Sequence, residues 1–105
     1  MNLQNIPLQD IENARKVRKL RSGIKRDLKT GKISLNEAFL NTLIYNNLKE
    51  MKLIDILSSL PKKGRIYAVN LMKEMNISKC KKIGGLGKKQ RLKLFAHFGL
   101  EKHLL

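Results

Sequence analysis

The sequence has no tryptophan, a single cysteine, two prolines, and only 8 acidic residues against 23 lysines and arginines. Each scarcity closes a route. The lone Cys80 excludes an internal disulfide and any cysteine-based zinc cluster, and it fits a reducing compartment. Flanked by Lys79, Lys81 and Lys82, it still reads as a packing residue rather than a reactive thiol. A membrane-surface helix would favour Trp or Phe on its apolar face, and no apolar run reaches the roughly 18 residues of a spanning helix. The first ten residues lack the basic-then-apolar pattern of a secretory signal. The expectation is a cytoplasmic protein with no membrane partner. Aromatics are sparse as well. Tyr45 and Tyr67 lie in helical stretches and read as half-buried core, whereas a single-strand stacking platform needs several clustered rings. The acids are scattered, and His97 and His103 have no paired acid or nucleophile pattern. No enzymatic activity, metal site or cofactor is therefore expected.

What is abundant is positive charge. The net charge is +15 and the pI near 10.3, beyond the value of about 9 that marks a nucleic-acid-binding domain. At 105 residues the chain has room for one modest core.

Hydrophobic periodicity predicts an all-α fold of about five helices and no strand. Residues 1–8 are polar, contain Pro7, and read as a flexible arm before a single domain over 9–105. From about Gln9 to Thr30, Ile11, Ala14, Val17, Leu20, Ile24 and Leu28 form an apolar stripe. The opposite face of this long helix is basic, and Arg15, Arg18, Lys19 and Lys25 make it a secondary contact for a phosphate backbone. Gly23 marks a bend or a close helix crossing, and Gly31 a stop. Ser34-Leu35-Asn36-Glu37 fits a capping box opening a helix with Leu35, Ala38, Phe39, Thr42 and Leu43 inward, ending near Asn46-Asn47. A further helix within Lys52–Ser59 turns Leu53, Ile54 and Leu57, with Leu60 beyond, toward the core, and Pro61 stops it.

The centre of the chain is residues 60–99, where two basic, glycine-bearing turns each lead into a helix. Pro61-Lys62-Lys63-Gly64 precedes a helix with Ile66, Val69, Met72 and Met75 at a spacing of three. Gly84-Gly85-Leu86-Gly87 precedes one with Leu92, Phe95 and Phe98 on one side, closed by Gly99. A helix start offers unpaired amides and the positive end of the helix dipole, which suits phosphate. Gly64, Gly85 and Gly87 remove the β-carbon where a ligand would approach, and Lys62, Lys63, Lys88 and Lys89 add full charges. Two such N-termini are expected to open near one basic surface.

Leu60-Pro61-Lys62-Lys63-Gly64-Arg65, then Ala68, Met72 and Ile77, then Gly85-Leu86-Gly87 with Gln90-Arg91, resembles the helix-two-turns-helix DNA-binding unit. Preceded by a long basic helix, the arrangement is most similar to the actinobacterial-type integration host factor family, over about Ala14 to Gly99. The resemblance implies an all-helical nucleoid protein that binds duplex DNA non-enzymatically with little sequence preference and bends, compacts or alters the topology of DNA; the single small core leads us to expect a monomer. It implies contacts from Pro61 to Arg65, from Lys81 and Lys82, and from Gly85 through Leu86, Gly87 and Lys88 to Lys89, with Arg91 beside them. The family tends to place arginines just before the second turn. Here stand Lys81, Lys82 and Gly84, and lysine lacks arginine's bidentate fork. RNA is the alternative partner, because a ribosomal small-subunit protein uses a similar turn pair; that protein carries a long lysine-rich extension after the domain, which this sequence lacks. Base-excision glycosylases that carry the unit need an N-terminal nucleophile and a zinc finger, and neither pattern is found here.

Overall fold

The computed structural model describes residues 8–100. Among them the regular structure is all helical: α1 (Leu8–Thr30), α2 (Leu35–Leu40), α3 (Thr42–Leu48), α4 (Leu53–Ser58), α5 (Arg65–Glu74), a 3-10 turn (Ile83–Gly85) and α6 (Lys88–Phe98). The only strand-like pairing among the described residues is an isolated antiparallel bridge between Lys52 and Lys82. No described helix is long and apolar enough to cross a membrane. His103 and most of the N-terminal arm lie outside the described residues.

Six α-helices replace the expected five because Asn41 divides one predicted helix in two. Its backbone is extended, with φ −80° and ψ 114°. It closes α2 by donating its amide to the Glu37 carbonyl, and it opens α3 through its Oδ1, which accepts from Ile44 N at 3.1 Å. The break explains why Leu35, Ala38 and Phe39 are buried while Thr42 and Leu43 face solvent. Ser34 caps α2 as expected: its Oγ accepts from Glu37 N at 3.0 Å and lies 3.2 Å from the Glu37 carboxylate. The reciprocal bond thus reaches the serine hydroxyl, not its amide. Gly31 and Gly99 end α1 and α6 with φ of 78° and 64°, in the left-handed region where a β-carbon is disfavoured.

The core gathers around α4. Leu53, Ile54, Ile56, Leu57 and the following Leu60 are all buried, and α4 packs most extensively on α5. Phe39 bridges the halves of the chain, its ring 5.2 Å from Phe95 in an edge contact and 5.8 Å from Tyr45. Two predicted faces each hold except at one residue: Met72, Met75 and Phe95 are buried and Val69 and Phe98 half-buried, but Ile66 and Leu92 are not. On α5 the buried residues are Ala68, Leu71 and Met72, with Met75 just after, while Ile66 is 80% exposed. At 3.6 residues per turn, nine residues make about 2.5 turns, so Ile66 and Met75 stand on opposite sides. On α6 the same drift leaves Leu92 exposed and buries Leu94 beside Phe95, with Phe98 half-buried.

α1 is about 34 Å long at 1.5 Å per residue and accounts for much of the molecule's 46 Å extent. Only Ile24 and Leu28 of its stripe are buried, both in its C-terminal third, and Leu20 is 56% exposed; α3 is the helix that packs most on α1. Gly23 neither breaks α1 nor marks a crossing: a β-carbon there would meet only the Arg26 guanidinium, at 3.8 Å. Asn41→Ala should cost about 1 kcal/mol by removing the α3 cap, lowering the melting temperature by roughly 4–8 °C. Thermal denaturation followed by circular dichroism checks this.

Candidate nucleic-acid interface

The helices after the two glycine-bearing turns begin differently from α2 and α3, and like α4, whose N-cap Lys52 also makes no side-chain cap bond. Side-chain oxygens of Ser34 and Asn41 cap α2 and α3, whereas α5 and α6 start at Gly64 and Gly87, which have no side chain to offer. Their first-turn amides are left open to an external acceptor.

In the first turn, Pro61, Lys62, Lys63, Gly64 and Arg65 are all exposed. Lys62 carries the left-handed conformation, with φ 58°, and Lys63 N donates to the Leu60 carbonyl at 3.1 Å. Gly64 is extended at φ −146°, and nothing lies within 4 Å of where its β-carbon would be. The Lys63 ammonium sits 4.6 Å from the centre of the half-buried Tyr67 ring, within cation–π range. Burial, with a smaller push from the Glu74 carboxylate, raises the Tyr67 hydroxyl above its ordinary pKa.

The second turn is held from beneath. Its chain runs antiparallel to residues 49–53: Leu53 N donates to Lys81 O at 3.0 Å, Ile83 N to Met51 O at 3.0 Å, and Gly84 N to Lys49 O at 2.8 Å. Ile83 and Leu86 point into the core, so Leu86 offers a ligand only its backbone. Gly85, Gly87, Lys88 and Lys89 are exposed. Gln90 accepts from Gly87 N at 3.0 Å and donates to Asn76 O at 3.2 Å, and Arg91 donates to Gly84 O at 3.3 Å. The Gln90-Arg91 pair therefore braces the turn, and the half-buried Arg91 is committed in part to Gly84.

The glycine with a packing requirement is Gly84, where a β-carbon would lie 3.0 Å from Lys49 O and 3.1 Å from its Cβ. Gly87 has φ −70° and only the Gln90 Oε1 at 3.7 Å, so a side chain there meets no backbone strain. Cys80 is exposed rather than packed, on an outward turn where its amide donates to Ser78 Oγ at 3.3 Å.

The two N-termini do not share one spot. Tyr67 Oη lies 3.4 Å from His97 Nε2 while Gln90 reaches Asn76, so α5 and α6 run antiparallel. Their starts sit at opposite ends of the pair, about 15 Å apart for a ten-residue helix. The second turn has instead a different basic neighbour. Arg18 and Lys25 of α1 face Lys82 across an open cleft of about 540 Å³, joined by Arg21 and Lys52 and tempered by Glu50 and Asp55. Lys82 and Glu50 pair at 3.6 Å. Arg15 is exposed nearly one turn before Arg18, and Lys19 borders a separate groove with Leu20 and Ile44. Arg21 and Lys52 are additions to the expected contacts. Arg21 was legible from its spacing of three and four to Arg18 and Lys25; Lys52 enters only through the pairing of residues 49–53 with 81–84. The Arg21 Nε is buried without a hydrogen-bond partner.

Residues 28–98 match the family described as the S13-like H2TH domain. The chain is 33% identical over 89 residues to the integration host factor of Mycobacterium tuberculosis, covering 85% of each. It is 32% identical over 89 residues to that of Streptomyces coelicolor, covering 85% of this chain and 83% of the relative. A solved structure of sIHF bound to an 8-bp palindromic DNA superposes with a TM-score of 0.73 at 32% identity, covering 84% of this chain and 99% of that one.

Gly84→Ala should destabilise by about 1–3 kcal/mol, the usual cost of overpacking, whereas Gly64→Ala should leave the melting temperature within about 2 °C because its surroundings are open. Calorimetry of the two variants checks the contrast.

Proposed function

The chain belongs to the actinobacterial-type integration host factor family, built on an S13-like H2TH domain, and from that membership we propose that it is a non-enzymatic, architectural protein that binds duplex DNA in the nucleoid. The observation that carries the reading is the pair of glycine-started helices, α5 and α6, each with open amides beside two or more lysines or arginines. Phosphates are the natural partner for such ends, and contacts to phosphate position a protein without reading sequence. In this proposal the first turn contributes Pro61 to Arg65 and the second Lys81, Lys82 and Gly85 to Lys89, with Arg91 bracing it. Because the turns are about 15 Å apart, they take separate points on the duplex. Arg18, Arg21 and Lys25 of α1, with Lys52, extend the second contact along the cleft. The protein acts as a monomer, as one domain over 9–105 preceded by an arm over 1–8. It works in the cytoplasm without a cofactor.

The Lys82–Glu50 pair is solvent-exposed, and exposed ion pairs contribute about 0–1 kcal/mol, so it does not withhold Lys82 from a phosphate. Replacing both Lys81 and Lys82 with Ala should make the log–log salt dependence of duplex binding shallower by about 1.8, at about 0.9 for each lost phosphate contact. Affinity should fall alike for unrelated duplexes. Fluorescence titrations across a salt series, with hairpin RNA as competitor, check this; an unchanged slope, or preferential capture of the hairpin, overturns the assignment. Plasmid incubated with the protein should stay intact on gels, with or without divalent metal.

A further inference from the structure

We propose that Ile66 is a wedge, the side chain that enters a base step from the minor groove and sets the kink in bound DNA. This rests on the DNA-binding reading above and adds to it the residue responsible for deformation. Ile66 is 80% exposed although its sequence spacing marks it for the core. Single exposed aliphatics are ordinary on protein surfaces, so its surroundings decide. Leu43 is equally exposed but has no lysine or arginine within five residues on either side. Ile66 has Lys62, Lys63 and Arg65 within four, and it is the second residue of a helix whose N-cap, Gly64, leaves the first amides open. With Val69 and Asn70 it borders a shallow cleft, mostly apolar, of about 270 Å³.

An apolar tip ringed by cations suits a ligand that is anionic outside and apolar between its layers. A stacked duplex has that construction: phosphates line the groove and base faces lie within. Protein interface cores are depleted in charge, so one isoleucine among three cations is a poor protein anchor. Isoleucine is among the side chains that minor-groove proteins insert between bases, where the cost of unstacking is offset by contacts to the bent duplex. The offset makes bending, not affinity, the sensitive readout. Pyrimidine–purine steps unstack most easily, so a TA step is the preferred entry.

The test uses the full-length protein, a duplex carrying dyes at both ends, and 2-aminopurine at a central TA step. Wild type should increase energy transfer and 2-aminopurine emission together. Ile66→Ser should lose most of both signals, bind less than about tenfold more weakly because insertion and unstacking nearly cancel, and keep the salt slope. The side chain touches solvent, so the variant should fold, which circular dichroism verifies; Ile66→Ala gives a second, milder replacement expected to lose the same signals. If wild type binds but Ile66→Ser bends and unstacks the duplex equally well, the wedge is refuted while DNA binding stands. It is refuted too if bending occurs without any rise in 2-aminopurine emission, or only with two proteins per duplex. Failure of wild type to bind at all would refute the functional reading itself.

Discussion

Three main-chain hydrogen bonds between residues 49–53 and 81–84, closed by Gly84 N on Lys49 O at 2.8 Å, hold the second turn against the core. The pairing joins segments some thirty residues apart, and its formation carries the loop-closure cost of bringing them together. Once formed, it makes a β-carbon at position 84 a tight fit against Lys49 and directs Ile83 and Leu86 inward while the residues between and after them stay at the surface. Gln90 and Arg91 complete the bracing from the other side. The turn is thus fixed by backbone and by buried aliphatic anchors, so its lysines carry no structural duty.

α2 and α3 are closed at their starts by side chains, Ser34 and Asn41 supplying the acceptors that the first-turn amides need, whereas the core helix α4 starts at Lys52 without one. The two helices that follow basic turns begin with glycine and leave those amides open. An open amide at the surface is satisfied by water at little cost, yet it remains available to an acceptor that also gains from the helix dipole. The same economy explains Lys62. Its left-handed backbone at φ 58° costs on the order of 1–2 kcal/mol in a non-glycine residue, and in return the turn presents Pro61 to Arg65 outward together.

The pairing also arranges charge. It draws Lys52 and Lys82 beside Arg18, Arg21 and Lys25 of α1, so the basic face of a helix that projects from the core becomes continuous with the second turn. Glu50 and Asp55 lie among these cations and keep the cleft from being uniformly positive. The antiparallel run of α5 and α6 separates the first turn from this cluster by about a helix length. The basic surface is therefore extended, suited to a long polyanion rather than a compact one.

The sequence by itself determined the fold class, the two turns and the electrostatic character, because each is written in neighbouring residues. The Ser34 cap, the Pro61 stop, the left-handed Gly99 and the net charge of +15 are local or additive properties. The family resemblance was legible for the same reason, since its motifs are short and closely spaced. Tertiary structure alone decided which face of each helix is buried and which cations meet. A spacing of three drifts around a 3.6-residue helix, so periodicity could not say that Ile66 would be exposed and Ala68 buried; packing on α4 chose. Nor could local pattern reveal that Gly84 yields to Lys49, that Lys52 joins Lys82, or that the two helix starts lie at opposite ends of an antiparallel pair. Those relations depend on contacts between distant segments, which form only when the chain closes on itself.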